Sequence, residues 1–342
     1  MSNKTMFGFR LDRVTLNHGL TRQGQDFATT KLETPQGETF VQTLESMRSR
    51  IVGVTRVGNL KYVPSEADQE GINEGGSIPT LRVERMTINR SRIDFVIRVG
   101  RQGSHDLAIT ADASEDVGLE DKASTNPFHV SLYLPTTGSE AVLVSEVRSR
   151  TSAGSQLMKL IGVLSFESAF SNQNDDNDQW WRLTSNPIAD AERLEEVLTQ
   201  GNGLAFQLER HTAAKGQPRG TGKVVLRRNG LPAGKLGAVK AMVLGWAKIQ
   251  VPDNYDAPPA GSPVEQLASL VGFDIDAALF DDGSLSYDDA QGRTQTIRPS
   301  NVGDVFIYPV KVGERPTASE IRTKAESRIR KLEASLRIPL NI

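Results

Sequence analysis

The sequence contains no cysteine in 342 residues, and this absence restricts its chemistry. Disulfide bonds, thiolate nucleophiles, zinc knuckles and iron-sulfur ligation are all excluded. Only four histidines are present, and none lies at metal-ligand spacing from another. No apolar signal region follows Met1, and no apolar run reaches the length of about 18 residues that a membrane helix needs. We therefore predict a cytoplasmic protein with no membrane segment and no cofactor.

The first half of the chain alternates in the manner of β-strands. Ile93, Phe95 and Ile97 are apolar at every second position, which is the pattern of a strand with one buried face. Two such runs flank the polar residues 89–92, and this arrangement predicts a hairpin. Residues 1–170 are therefore predicted to form a β-rich domain.

The pattern changes after residue 170. Residues 171–189 include the polar run SNQNDDND and predict an acidic linker loop. Residues 190–342 combine helical and strand periods. A length of 342 residues is about that of two typical domains. We predict an α+β protein, in which a β-rich N-terminal domain is followed by a smaller α+β domain that ends in an amphipathic helix.

The formal net charge of -2 conceals two segments of opposite sign. Residues 204–250, which we call the basic block, hold nine Lys or Arg residues against one acid, Glu209. Residues 251–292 hold nine acids and no Lys or Arg. This asymmetry predicts either a basic surface for a polyanion or two segments that neutralise each other in the fold, and the sequence leaves both open.

The basic block has the composition of a surface that follows a phosphate backbone. Clustered Lys and Arg residues gain affinity by releasing counterions, and neighbouring glycines let the backbones approach each other. A second basic stretch, residues 81–101, has six Arg against two acids and one aromatic residue, which favours backbone contact over base stacking. The predicted nucleic-acid-binding residues are Arg210, Lys215, Arg219, Lys223, Arg227, Arg228, Lys235, Arg90 and Arg92.

Catalytic patterns are weak by comparison. Gly220 to Lys223 resembles a phosphate-binding loop, but Gln217 and Val224 stand where that motif needs Gly and Ser or Thr. An apolar strand ends in Glu146, Val147 and Arg148. A metal-dependent nuclease would have an acid at the position of Glu146 and Lys at the position of Arg148. Arginine does not release its proton at neutral pH. We therefore predict no catalytic residue and no metal site, with a degenerate Mg²⁺-dependent nuclease around Glu146 as the alternative.

The C-terminal helix is the best-defined element of the sequence. Thr317 and Glu320 fit a capping box, and an apolar stripe follows at helical spacing. The members of the apolar stripe are Ile321, Ala325, Ile329, Leu332 and Leu336. The stripe is predicted to pack either on its own domain or on a partner chain.

The leading functional hypothesis is a backbone-contacting, largely sequence-independent nucleic-acid-binding component of a bacterial or phage-related multi-component system. Phage defence is one such system. The second alternative, beside the nuclease, is a structural protein that self-associates through the helix at 317–337.

Overall fold

The computed structural model describes residues 5–32, 37–60, 62, 78–102, 107–108, 117–118, 122–171, 180–188, 190–200, 202–212, 222–230, 234–247, 260–272, 280–288 and 294–342. Its elements confirm the predicted α+β class. The chain divides into two compact units. The first unit consists of Met1–Asn186 together with Tyr308–Ile342, and the second unit is Pro187–Ile307. In the described ranges, no helix is both long enough and apolar enough to cross a bilayer.

The elements follow one another in an order that interrupts the first unit with the second. The first segment forms β1 (Met6–His18), α1 (Phe40–Ser46), α2 (Arg48–Ile51), β2 (Thr55–Val57), β3 (Ile78–Ile88), β4 (Arg92–Gln102), β5 (Leu107–Ala108), β6 (Val117–Gly118), β7 (Ala123–Tyr133), β8 (Glu140–Arg148), β9 (Thr151–Ser152), α3 (Gly154–Ser171) and β10 (Trp181–Pro187). The second unit holds α4 (Ala191–Gln200), β11 (Asn202–Thr212), β12 (Gly222–Asn229), α5 (Leu236–Trp246), α6 (Pro263–Val271), β13 (Asp282–Asp288), β14 (Thr294–Ile297) and a 3-10 helix (Val302–Phe306). The chain then returns to the first unit with β15 (Ile307–Val312) and α7 (Ala318–Leu336).

A nine-stranded sheet in the order β10-β1-β8-β7-β4-β3-β2 organises the first unit, with β15 also paired to β1 and β9 to β8. From β1 to β2 along this order, neighbouring strands run antiparallel. Because side chains alternate between the faces of a strand, β4 buries Ile93, Phe95 and Ile97 together, as predicted. The predicted hairpin is also confirmed, since the Asn89 N–H donates to the Arg92 carbonyl at 2.8 Å.

One face of this sheet packs with α1, α3 and Trp181 in a single apolar core. The Trp181 indole N–H donates to Thr43 Oγ1 at 3.0 Å. Trp181 belongs to β10, and so part of the predicted linker at 171–189 is a core strand. The apolar pair Trp180 and Trp181 explains this difference, because both side chains are buried. Residues 172–179 of the predicted linker lie outside the described residues.

Helix α7 packs on the opposite face of the large sheet, near the place where Leu11 of β1 pairs with Val144 of β8. Its capping box is confirmed, with the Glu320 N–H donating to Thr317 Oγ1 at 3.2 Å. The apolar stripe is buried within the chain. The self-association alternative thereby loses the apolar face on which it depended.

Helix α7 also belongs to the first unit, because β15 pairs with β1 and returns the chain to the large sheet. The sequence had grouped this helix with residues 190–342.

The second unit builds its own core on a four-stranded sheet in the order β12-β11-β13-β14. Phe206, Leu208 and Leu285 pack in a core with residues of α5 and α6. Helix α6 begins at a capping box between Ser262 and Glu265. Strand β12 lies at the edge of this sheet. The basic block therefore contributes an edge strand, whose outer side faces no further strand among the described residues.

Candidate nucleic-acid interface

Most of the described cations of the basic block have exposed side chains in the second unit. We call the group of exposed cations around β12 the β12 surface, and its members are Arg210, Arg227, Arg228 and Lys235. The register pairs Arg210 with Val224 and Arg228 with Phe206 on one face of the β11–β12 pair, whereas Arg227 lies on the other face. Lys223 lies within β12, where its backbone pairs with that of His211. Lys215 and Arg219 lie outside the described residues. The structure thus shows exposed side chains for four of the predicted residues of the basic block, and these are divided between the two faces of the strand pair.

The one acid of the basic block is withdrawn from this surface. Glu209 is only 3% exposed, and Arg298 Nη2 donates to its Oε1 at 3.0 Å. Gln207 Nε2 donates to the same oxygen at 3.0 Å. Arg298 also forms an ion pair with Asp282. Since the charge of Glu209 is compensated inside the unit, it does not oppose an anion at the β12 surface.

The cations of the basic block differ in their own contacts. Arg228 Nη1 donates to the Val271 carbonyl, at the end of α6, where a cation is favoured by the helix dipole. Lys240 is buried and pairs with Glu195 at 2.9 Å. Among the described residues, Arg227 pairs with no carboxylate, and its Nε donates to Asn229 Oδ1 in the same strand at 3.0 Å. Arg228 and Lys240 therefore have structural roles, while Arg227 remains available to an anion.

The two predicted residues of the first unit also differ. Arg90 is exposed in the turn between β3 and β4. Arg92 donates to Asp94 at 2.9 Å and to Glu326 at 3.2 Å, and its guanidinium lies 5.5 Å from the centre of the Tyr133 ring. Arg92 thereby attaches α7 to the sheet. Its charge is already compensated by two carboxylates, and so it is a poor candidate for phosphate contact.

A second basic feature, which sequence reasoning missed, lies where the ends of β3, β4, β7 and β8 approach the first turns of α3. It is a cavity of about 670 Å³, which we call the basic cleft, and its charged lining residues are Arg56, Arg101, Arg148 and Lys159. None of the described residues that line it is acidic. The wall is closely packed at Gly100, where a Cβ atom would lie 1.9 Å from the Ser124 carbonyl oxygen. Only glycine permits this spacing of β4 and β7.

Glu146, the residue of the nuclease alternative, has both carboxylate oxygens engaged. Arg315 donates to Oε1 and to Oε2, each at 2.9 Å, and the His129 backbone N–H donates to Oε2 at 2.8 Å. Glu146 is 1% exposed. Within the described ranges, no group of three or more His, Asp or Glu residues is placed to hold a metal ion. The contacts of Glu146 support a structural role, in which it fixes the segment before α7 to the sheet.

The half-buried His129 is expected to make the stability of the protein depend on pH. Burial lowers the pKa of His129 below its usual 6.5, Glu146 opposes this shift, and Arg315, Arg85 and Arg322 add to it. His129 therefore binds more protons in the unfolded chain than in the folded one at pH values between its two pKa values, and its contribution makes the free energy of unfolding fall as the pH decreases from 7 through this range. Urea unfolding should show a weaker decrease for His129→Gln. An equal decrease in both proteins would contradict this role of His129.

Comparison with protein-family models finds no match for this sequence, and comparison with curated proteins finds no similar chain. Function is therefore inferred from the residues of the chain itself.

Proposed function

We propose that this protein binds the sugar-phosphate backbone of nucleic acids through the β12 surface, without catalysis and largely without regard to base sequence. The observation that carries the proposal is the separation of charge in the second unit: its exposed strand pair presents cations, while Glu209 is buried against Arg298. Backbone binding depends on charge alone and needs no cofactor. In this proposal the protein acts in the cytoplasm.

Three members of the β12 surface are suited to phosphate contact. Arg210, Arg227 and Lys235 are exposed, and none of them pairs with a carboxylate among the described residues. Each neutralised phosphate contributes about 0.9 to the slope of log affinity against log salt. Three such contacts should weaken binding roughly 40-fold between about 50 and 200 mM salt.

The experiment measures binding of the full chain to a random-sequence DNA duplex, a single strand and a duplex RNA at several salt concentrations. The test variant carries Arg210→Glu, Arg227→Glu and Lys235→Glu. Arg228 is left intact because it contacts the end of α6. We expect most of the affinity to be lost and the salt slope to decrease by about 3.

A matched control separates local contacts from net charge. Arg22, Arg330 and Lys331 are also exposed, and their reversal to Glu changes the net charge by the same amount. The proposal is contradicted if the two triple variants bind equally well. If the test variant loses stability in urea instead of affinity, the basic block is a counter-charge for the acidic segment at 251–292.

A further inference from the structure

The basic cleft of the first unit has the character of a binding site for a compact anion. Its cations come from four separate elements or their ends: Arg56 from β2, Arg101 from β4, Arg148 from β8 and Lys159 from α3. We propose that the basic cleft binds a terminal phosphate group, of the kind carried by a free nucleotide or by the end of a nucleic-acid strand. This site is separate from the β12 surface, and the proposal does not depend on the one made for that surface.

The charge of the cleft is only partly compensated. Glu167 lies 3.7 Å from Arg56 Nη2, but the same carboxylate oxygen accepts a closer hydrogen bond from Arg50 at 2.7 Å. One carboxylate thus serves two guanidinium groups. The Nε atom of Arg56 is buried and has no acceptor in the described part of the chain.

Arg148 is held in place by neutral groups. Its Nη1 donates to Asn126 Oδ1, and its guanidinium carbon lies 5.6 Å from the centre of the Phe7 ring. Both contacts fix the position of the guanidinium while leaving its full charge. Arg148 and Asn126 both line the cleft. Charged donors that are fixed before binding hold phosphate more tightly than mobile ones, because less entropy is lost.

The volume and remaining lining of the cleft indicate the size of the ligand. About 670 Å³ lies within the range of about 300 to 1,000 Å³ that is typical of small-molecule sites. Leu60, Leu81 and Phe128 give part of the lining an apolar character. Gln156 and Lys159 come from the first two turns of α3, where the helix dipole also favours an anion. A phosphate joined to a less polar group, such as a nucleoside, fits this combination.

The test compares ligands that differ only in phosphate. Calorimetric titration of the full chain with adenosine, AMP and ATP measures the contribution of phosphate to a free nucleotide. A short single strand with a 5′-phosphate, compared with the same strand ending in a 5′-hydroxyl, measures it for a strand end. We expect the phosphorylated member of at least one series to bind about tenfold or more tightly than its unphosphorylated counterpart, as a charged hydrogen bond implies. The series with the larger difference identifies the source of the phosphate.

Two variants locate the binding. Lys159→Gln and Arg148→Gln should each weaken binding of the phosphorylated ligand about tenfold. Lys331→Gln, on the exposed side of α7, should leave this affinity unchanged. Lys159 is exposed, and so its substitution leaves the core intact. Binding of duplex DNA should be unchanged in Lys159→Gln, which distinguishes a failure here from a failure of the β12 surface. Equal binding of phosphorylated and unphosphorylated ligands, or no binding of any of them at millimolar concentration, would overturn the proposal.

Discussion

Removal of Thr317–Ile342 is expected to abolish the cooperative folding of the first unit. The apolar stripe of α7 is buried on the large sheet, and its four large members each contribute about 1.5 to 3 kcal/mol, or about 6 to 12 kcal/mol together. The whole stability of a protein is typically about 5 to 15 kcal/mol. The deletion also removes the Pro339 carbonyl, which accepts a hydrogen bond from the Thr136 N–H at 2.8 Å. The truncated chain therefore lacks the energy to keep its sheet packed.

Tryptophan fluorescence gives a direct measurement of this loss. Two of the three tryptophans, Trp180 and Trp181, are buried in the first unit. Their emission should shift to that of solvent-exposed indole in the truncated chain, without the sigmoidal urea transition of the full chain. Arg330→Glu with Lys331→Glu, on the exposed side of α7, should leave the transition unchanged. A truncated protein that stays folded but has a smaller mass in solution would instead support self-association through this helix.

Substitution of Arg315 by Met should destabilise the protein by about 3 kcal/mol, because it leaves the buried carboxylate of Glu146 without its cation. Glu146 is 1% exposed, while the Arg315 side chain is 34% exposed. Arg315 also donates to the Pro127 carbonyl at 2.9 Å. The expected cost lies at the lower end of the range for a broken buried pair, since water already reaches Arg315.

A double-mutant cycle separates this cost from the loss of side-chain packing. Glu146→Gln combined with Arg315→Met removes both charges, and its free energy of unfolding should recover most of the loss. The matched control is the pair of Arg13 and Glu140, with side chains 35% and 38% exposed. Arg13→Met should cost less than about 1 kcal/mol. If urea titrations show a similar loss of unfolding free energy for Arg13→Met and Arg315→Met, the burial of Glu146 adds nothing to the cost of removing its partner.

The local elements of the fold could be predicted from the sequence because their signals are local. The alternation of Ile93, Phe95 and Ile97 correctly predicted a strand, β4. The spacing of Thr317 and Glu320 correctly predicted the start of α7. The membership of α7 in the first unit could not be predicted in this way. It depends on the pairing of β15 with β1, which joins strands about 300 residues apart.

The candidate sites could likewise be predicted only where their residues are close together in the sequence. The basic block is contiguous in sequence, and so its clustered charge was visible. The cations of the basic cleft lie at positions 56, 101, 148 and 159, and only the order of the sheet brings them together. One signal was available, since Arg101 and Arg148 lie at or next to the last residues of β4 and β8. The internal pairing of Arg92 had no signal, because its partner Glu326 is 234 residues away.

The interruption of the first unit by the second has a consequence for synthesis. Both strands that flank the inserted unit, β10 and β15, pair with β1, and β1 comes first among the described strands. The ribosome must therefore produce all of Pro187–Ile307 before β15 and α7 can complete the large sheet. During that interval, the face that α7 will cover remains open to solvent and to chaperones. The second unit should thus reach its final fold first, although most of the first unit is translated earlier.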